Sequence, residues 1–356
     1  MSDEGFDEGA VGFNFKFTSA DFDKRGRDDL LKLFKDFGLQ IFSHRSQMGK
    51  IKISKFQPAL LSAYFRIVYH VKTIEPEIAE KFKGDMYYYD YKHGQYFINA
   101  ETFFRTIAKE WWEDAYSNVP LSETFYDLRA ATYIKRGVFD LPPKYIPVAN
   151  GVLELYRESN TKQWKIKLVP NSPDLFVIER MPVVYDPKSE CIRFNNFLNE
   201  SVKGDDHMFL QDWSGDMLYR KKTHRRAVML LGPTRTGKSV LIWILHCLVG
   251  NGFSSDIPVE KLNDKYELFR THGRLLIFHA DIETQELKSS GQLLALISAD
   301  RMSARTLHKP SFDFVPVCVL IYSCNNPPYP YADEPAFWDR WQVVIMNVQQ
   351  FFPKAK

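Results

Sequence analysis

Two styles of hydrophobic pattern divide the chain. Leucine and phenylalanine recur at helical spacing in DDLLKLFKDFG, where Gly38 supplies a stop. Helical patterns are also predicted over about residues 58–82, 100–115, 123–135 and 195–217. Past residue 226 come three apolar runs without polar alternation, namely Ala227–Leu231, Leu275–Phe278 and Val315–Tyr322. Such runs are typical of central strands in a parallel sheet covered by helices on both faces, so this part is predicted to be α/β.

Turn residues and aromatic runs suggest the division into domains. The aromatic segment Met86–Asn99 alternates broadly and is broken by His93-Gly94, which predicts a β-hairpin. Asp90 and His93 have residue types found in primase sites, but the acidic pair is missing and the hairpin explains them better. Prolines and Asn150-Gly151 mark a boundary within residues 141–155, and short strands are expected to about residue 186. The predicted domains are a flexible acidic tail, a mainly helical domain, a connecting domain and a C-terminal α/β domain, over residues 1–17, 18–140, 141–219 and 220–356.

Composition limits the classes of function. The chain has 356 residues, a formal net charge of +3 and 45% hydrophobic residues, so nucleic-acid binding would depend on local basic patches. Four cysteines without a CxxC pair indicate a reduced protein without a zinc site. The acidic start does not resemble a signal peptide, and the longest apolar stretch, Val240–Val249, is too short to cross a bilayer. A soluble, cytoplasmic protein without a membrane partner is therefore expected.

The segment GPTRTGKS fits G-x-x-x-x-G-K-[ST] at every fixed position and lies between an apolar strand and a helix that Gly250 ends. Its glycines let backbone N–H groups surround phosphates, and the helix N-terminus adds a favourable dipole. The lysine would reach the β- and γ-phosphates of ATP, and the serine hydroxyl would bind Mg²⁺. The predicted ATP-binding residues are Gly232, Pro233, Thr234, Arg235, Thr236, Gly237, Lys238 and Ser239.

Three later elements favour a motor over other phosphate-loop proteins, since the N-K-x-D element of GTPases does not occur. One apolar run is followed by Asp281, a predicted Mg²⁺ ligand, and by Glu283, which would orient the attacking water. Another is followed by Asn325 and Asn326, either of which could contact the γ-phosphate or the attacking water, while Arg340 in FWDRW is a candidate arginine finger. Taken singly, these residues also fit a helix cap, a turn and a surface ion pair, and their order after the loop favours the catalytic interpretation.

The chain resembles the superfamily 3 helicases, in the branch shared by primase–helicases of poxviruses, satellite phages and plasmids. GPTRTGKS resembles the Walker A motif, LLIFHADIE the Walker B motif, LLALISADRMSARTLHKP the B′ element and LIYSCNNPP motif C. Upstream, YIPVANGVLEL, PVVYDP and FLQDWSGDMLYR are similar to the domain that precedes the motor in this branch. The resemblance covers roughly residues 60 to 350.

That resemblance implies a P-loop NTPase with a modified AAA+ core, a hexameric ring and ATP sites shared between subunits. It also implies 3′-to-5′ movement on a strand threaded through the pore, with single-stranded and forked DNA as partners. Asn325 would be the motif C asparagine and Arg340 the finger that reaches the neighbouring subunit. The B′ element forms a pore hairpin in the family, which assigns the DNA contacts to Arg305, His308 and Lys309. A primase or a replication initiator is a further expected partner.

The chain departs from the family at Walker B, because Ala280 precedes Asp281 where many relatives have a second acid. Glu283 is the best remaining carboxylate for catalysis, and His279 is expected to be a packed strand residue. The basic run Tyr219–Arg226 fits a solvated edge at least as well as a DNA contact. Two other functions stay open, a ring-forming ATP-binding scaffold and a motor that packages or partitions duplex DNA. The chain is also expected to be part of a larger replication protein.

Overall fold

The fold was analysed in a computed structural model that describes residues 18–37, 44–45, 51–52, 57–74, 84–112, 116, 118–202, 204–220, 222, 224–282, 291–305, 311–327 and 335–346. Two compact units are present. The first contains residues 1–140 and 172–178, and the second contains residues 141–171 and 179–356. Among the described residues, no helix has the length and apolar character needed to cross a membrane.

The first unit combines helices with a small sheet. Its helices are α1 (Ser19–Asp23), α2 (Arg27–Phe37), α3 (Pro58–Val68), α4 (Ala100–Trp112) and α5 (Asn118–Thr132). Its strands are β1 (His44–Arg45), β2 (Ile51–Lys52), β3 (Lys72–Ile74), β4 (Met86–Asp90), β5 (Gln95–Ile98) and β6 (Tyr133–Ile134). The apolar faces of α1–α5 share one core, with Phe65 stacked on Phe104 at 3.9 Å between ring centroids. The predicted helices near residues 28–38, 100–115 and 123–135 are confirmed.

The predicted hairpin is confirmed, and a predicted helix is too long. Strands β4 and β5 pair antiparallel, and Asp90 closes the turn by accepting hydrogen bonds from the Lys92 amide at 2.7 Å and the His93 ring at 2.5 Å. The helix expected to continue to residue 82 ends at Val68, and residues 75–83 lie outside the described part. His70 has a φ of 46°, which stops the helix, and β3 then pairs with β4 and β6. Pairing with distant strands overrides the local helical pattern there.

The second unit begins with a three-stranded antiparallel sheet and two helices. The strands are β7 (Tyr145–Val148), β8 (Gly151–Arg157) and β9 (Trp164–Val169), and the helices are α6 (Ile192–Ser201) and α7 (Asp206–Tyr219). One helical stretch was expected over residues 195–217. The structure divides it, because Val202 is extended and Gly204 has a φ of 64°. Both residues leave the right-handed helical region, so the hydrogen-bond ladder is interrupted between α6 and α7.

The main sheet of the second unit has five parallel strands. They are β10 (Ala227–Leu231), β11 (Ser254–Asp256), β12 (Leu276–His279), β15 (Val319–Cys324) and β16 (Trp341–Ile345), in the order β11-β12-β15-β10-β16. Around them lie α8 (Lys238–Val249), α9 (Lys265–Phe269), α10 (Gly291–Ser298) and α11 (Pro335–Trp338), and an antiparallel pair of β13 (Met302–Ala304) and β14 (Phe312–Phe314). The three predicted apolar runs form β12, β15 and β10, the three inner strands, as expected.

Each face of this sheet is buried in a separate core. Val228 and Leu230 of β10 belong to the core that contains the apolar side of α8, while Ala227 and Met229 belong to the core that contains α10. Successive side chains of a strand point to opposite faces, so a strand covered on both faces needs an uninterrupted apolar run. The protein therefore has a mixed α/β fold with a parallel sheet flanked by helices.

Candidate functional site

Parallel pairing brings three of the predicted segments to one edge of the five-stranded sheet. In the register, Leu231 of β10 lies opposite Cys324 of β15, and His279 of β12 lies opposite Tyr322. The phosphate-binding loop, Asp281 and Asn325 each follow the end of one of these strands. In open parallel α/β sheets, ligands bind outside the carboxyl ends of the strands. The carboxyl edge is therefore where a functional site is expected, and the sequence-predicted residues converge there.

The loop geometry depends on its two glycines. A Cβ atom on Gly232 would lie 2.0 Å from the carbonyl oxygen of Met346, so a side chain there would displace β16. Gly237 has a φ of 93° and is the N-cap of α8, and a Cβ atom there would meet the Phe197 ring at 2.9 Å. The fully buried Thr236 donates its hydroxyl hydrogen to the Pro233 carbonyl at 2.9 Å, which closes the turn. Helix α8 therefore begins directly at the loop, and the first turn of a helix has amide groups without intrahelical acceptors, as an anion site requires.

Lys238 connects the loop to the neighbouring strand. Its side chain is 5% exposed, and its Nζ donates to the carbonyl oxygens of Gly232 and Pro233, each at 2.7 Å, and to Asn325 Oδ1 at 3.1 Å. The pKa of Lys238 is lowered, mainly because the ammonium group is buried, and the nearby Asp281 carboxylate partly offsets this decrease. All three ammonium hydrogens thus have acceptors, which fixes the charge at the carboxyl edge.

Asp281 adopts a rare backbone conformation. Its φ is 63°, in the left-handed region where a residue other than glycine is strained by about 1–2 kcal/mol. Its amide donates to the Ser323 hydroxyl at 3.1 Å, and the Ile282 amide donates to the Ser323 carbonyl at 2.8 Å. The Asp281 side chain is exposed. Burial, and to a smaller extent the Asp281 carboxylate, raise the pKa of the Cys324 thiol to about 11. Glu283, the predicted catalytic carboxylate, lies outside the described residues.

The oxygen donors at this edge suit magnesium. The Ser239 hydroxyl and the Asp281 carboxylate are both exposed, and Mg²⁺ is usually held by one or two protein oxygens together with water and phosphate oxygens. A group of three or more His, Cys, Asp or Glu side chains around a common point is not found in the described part of the chain. His279 pairs through Nδ1 with Asp256 Oδ1 of β11 at 2.6 Å, so its ring is held by the adjacent strand.

Arg340 lies at the opposite edge of the sheet. Its carbonyl accepts a hydrogen bond from the Ala227 amide at 2.8 Å, where β10 and β16 both begin. Four residue steps of β10 separate Ala227 from Leu231, which corresponds to about 13 Å along the strand. Arg226, from the basic run, is adjacent and donates to Gln342 Oε1 at 3.1 Å. The length of β10 therefore separates the backbone of Arg340 from the glycine-rich loop of its own chain.

In the sequence, the predicted DNA-contacting residues fall between β13 and β14. Arg305 is exposed and directly follows β13, while His308 and Lys309 lie outside the described residues. The base of the pair is anchored, because Met302 and Phe314 belong to the second core and the His272 ring packs against Phe314 at 5.3 Å. The two short strands pair antiparallel, and Arg305 follows the end of the register at Ala304 and Phe312, while the B′ pore hairpin stays a prediction.

Sequence reasoning missed two residues that shape the site. Ser323 supplies both hydrogen-bond acceptors for the turn at Asp281, and Phe197 packs against Gly237. Ser323 is 0% exposed within an apolar run, and nothing in its residue type distinguishes it from an ordinary buried serine. Its position in the sequence could have identified it, because Ser323 lies two residues before Asn325 on β15, the strand that pairs with both β10 and β12.

The chain is similar to a family model and to several solved structures. Residues 230–340 match the model of a family described as a family of unknown function (DUF5906). No curated protein matches the chain. Three similar solved structures are the A form of the apo NrS-1 C-terminal region, the A form of its residues 305–718 and a further apo structure of that region. Their identities are 15%, 14% and 15%, with TM-scores of 0.45, 0.45 and 0.47.

These structural matches extend over most of the chain but not over most of the matched proteins. They cover 80%, 76% and 80% of this chain, and 61%, 59% and 62% of the solved chains. The chain thus spans about three fifths of the length of the structures it matches.

Proposed function

We propose that this chain is an ATP-hydrolysing DNA motor of the superfamily 3 helicase type. One observation carries the proposal: Lys238 is held against Asn325, within electrostatic range of Asp281, at the carboxyl edge of the parallel sheet. A lysine, a polar side chain and a carboxylate beside a glycine-rich loop are the groups that phosphoryl transfer requires. They come from three different strand ends, so the folded chain brings together residues 87 positions apart.

Each group has a defined role in this proposal. Backbone amides of the loop and of the first turn of α8 bind the phosphates, and Lys238 neutralises the β- and γ-phosphate charge. Ser239 and Asp281 would hold Mg²⁺, which when bound neutralises charge that develops on the phosphate oxygens. Asn325 would orient the γ-phosphate or the attacking water, and Glu283 is the candidate for accepting the water proton.

The position of Arg340 supports a shared site. The backbone of Arg340 lies at the amino edge of the sheet, and the length of β10, about 13 Å, separates it from the loop of its own subunit, farther than an extended arginine side chain reaches. The Arg340 guanidinium contacts phosphate only if another copy presents its amino edge to this loop. A closed, head-to-tail ring provides that arrangement for every subunit, and a hexamer is the expected size. Within such a ring, the hairpins at Arg305, His308 and Lys309 would line the pore and follow DNA phosphates.

Displacement of a labelled strand from a forked duplex tests the proposal. We expect displacement with ATP, none with a non-hydrolysable analogue and none for Lys238→Ala. Lys188→Ala removes an exposed lysine outside the site and should retain full activity. ATP hydrolysis without displacement on any fork would exclude the helicase and favour a duplex motor. ATP binding without hydrolysis or stimulation by DNA would instead favour a ring-forming scaffold.

A further inference from the structure

A buried serine holds the predicted magnesium ligand in place. Strand β12 pairs with β15 as far as His279, opposite Tyr322, and the chain then turns away at Asp281 with a φ of 63°. A residue in the left-handed region directs its amide away from the regular hydrogen-bond pattern of the strand pair. That amide therefore needs an acceptor other than the backbone carbonyl that continues the pattern. Some group next to β12 must therefore provide an acceptor for the turn to persist.

Ser323 provides acceptors for two successive amides. Its carbonyl accepts from Ile282 at 2.8 Å, and its hydroxyl accepts from Asp281 at 3.1 Å. Because the carbonyl is already directed to Ile282, the hydroxyl is the group on Ser323 left to satisfy Asp281. Ser323 is 0% exposed and Ile282 is 6% exposed, so neither bond can be exchanged freely for a bond to water.

The same strand end also contacts Lys238. Asn325, two residues beyond Ser323, accepts a hydrogen bond from Lys238 Nζ at 3.1 Å. One short segment of β15 therefore sets the position of the lysine on one side and of the aspartate on the other. A displacement of Asp281 alone would change the spacing between its carboxylate and the Lys238 ammonium, whereas the loop of α8 would keep its own internal bonds.

We propose that Ser323 is a positioning residue of the nucleotide site, whose hydroxyl fixes the turn at Asp281 so that its carboxylate can bind Mg²⁺ with the nucleotide. This proposal rests on the function proposed above. Ser323 does not touch substrate and acts through the backbone of Asp281. Its loss should therefore weaken the magnesium-dependent part of nucleotide binding and leave the magnesium-independent part unchanged.

The test compares Ser323→Ala with Ser323→Thr, which retains the hydroxyl, and with Ser255→Ala as a matched control. Ser255 is also a buried serine of the same sheet, 8% exposed, and donates to the Arg270 carbonyl at 3.0 Å away from the site. Binding of a fluorescent ATP analogue is titrated with Mg²⁺ and measured separately in EDTA. ATP hydrolysis by the wild type is recorded on the same sample.

Ser323→Ala should need about tenfold more Mg²⁺ for half of the gain in affinity, as expected for the loss of one part-buried hydrogen bond. Its affinity in EDTA should stay within about twofold of wild type, since the loop bonds remain. Ser323→Thr and Ser255→Ala should follow the wild-type titration. If Ser323→Ala does not fold, Ser323→Cys preserves the volume with a weaker acceptor and should give a smaller shift in the same direction.

Two results would overturn the proposal while the proposed function stands. One is a Ser323→Ala titration that superimposes on that of Ser255→Ala, with a hydrolysing wild type. The other is an equal loss of affinity in EDTA and in Mg²⁺, which would mean that the serine supports the whole loop. A wild type without magnesium-dependent nucleotide binding would overturn both the proposed function and the role of Ser323.

Discussion

The two edges of the five-stranded sheet differ in what they offer to a phosphate. At the carboxyl edge, Lys238 and Asn325 are hydrogen-bonded to each other and the loop is closed by internal bonds. At the amino edge, within the described residues, the Arg340 side chain has no hydrogen bond or ion pair, and it is only partly buried. One edge is preorganised by hydrogen bonds within the subunit, and at the other the described residues give the Arg340 side chain no such bond. The fold therefore fixes the groups at the carboxyl edge more firmly than the Arg340 side chain, a difference that the shared site proposed above would require.

The largest effects are expected when one charged group is removed from each edge of the sheet. Lys238→Ala and Arg340→Ala should each lower hydrolysis by about 10³-fold or more, because each removes charge that stabilises the transition state. Arg340→Ala should still bind nucleotide, whereas Lys238→Ala should bind it poorly. The measurement is steady-state ATP hydrolysis beside binding of a fluorescent ATP analogue.

Mixing the two variants distinguishes a shared site from a site within one chain. In a randomly mixed ring, about a quarter of the interfaces pair an intact Lys238 with an intact Arg340 from the neighbour. Equal amounts of the two inactive variants should therefore recover about a quarter of the wild-type hydrolysis if sites act independently. Complete absence of recovery in a verified mixed ring would contradict the assignment of Arg340 to the neighbouring site.

A smaller effect is expected at the hairpin, which belongs to neither edge. Lys309→Ala should retain basal hydrolysis and lose most of its stimulation by single-stranded DNA, since phosphate contacts contribute to binding rather than to chemistry. Lys261→Ala, an exposed lysine of the same unit, serves as the control and should keep the stimulation. Equal loss of basal hydrolysis in Lys309→Ala and Lys238→Ala would contradict the pore assignment of Lys309.

The smallest effect concerns stability at the carboxyl edge. Gly232→Ala should lower the free energy of unfolding by about 1–3 kcal/mol, because the new Cβ atom would overlap the backbone carbonyl of Met346. Gly215→Ala lies inside α7 with no atom within 4 Å of the new Cβ, and should raise that free energy by about 0.5–1 kcal/mol. Urea unfolding of both variants gives the comparison. Equal changes in the free energy of unfolding for the two variants would show that the close approach of the Met346 carbonyl to Gly232 does not limit stability.

Much of the fold followed from short-range patterns. The apolar runs of β10, β12 and β15 predicted inner parallel strands, because a strand covered on both faces cannot alternate. The helix after the loop was predicted to end at Gly250, and α8 ends at Val249. Errors occurred where distant pairing competes with local preference. The helical pattern beyond Val68 gives way to β3, which gains its hydrogen bonds from β4 and β6.

The sequence by itself determined the chemistry of the candidate site. Glycines at fixed spacing, a lysine at the start of a helix, and Asp281 and Asn325 after apolar strands are local features that neighbouring residues encode. Only the tertiary structure decided which of these groups meet. Strand order and register place Lys238 beside Asn325, direct Ser323 to Asp281 and move Arg340 to the opposite edge. The reason is that these strands pair residues that lie from 43 (Leu276 with Val319) to 114 (Ala227 with Trp341) positions apart, which depends on the whole core and is recorded in no local pattern.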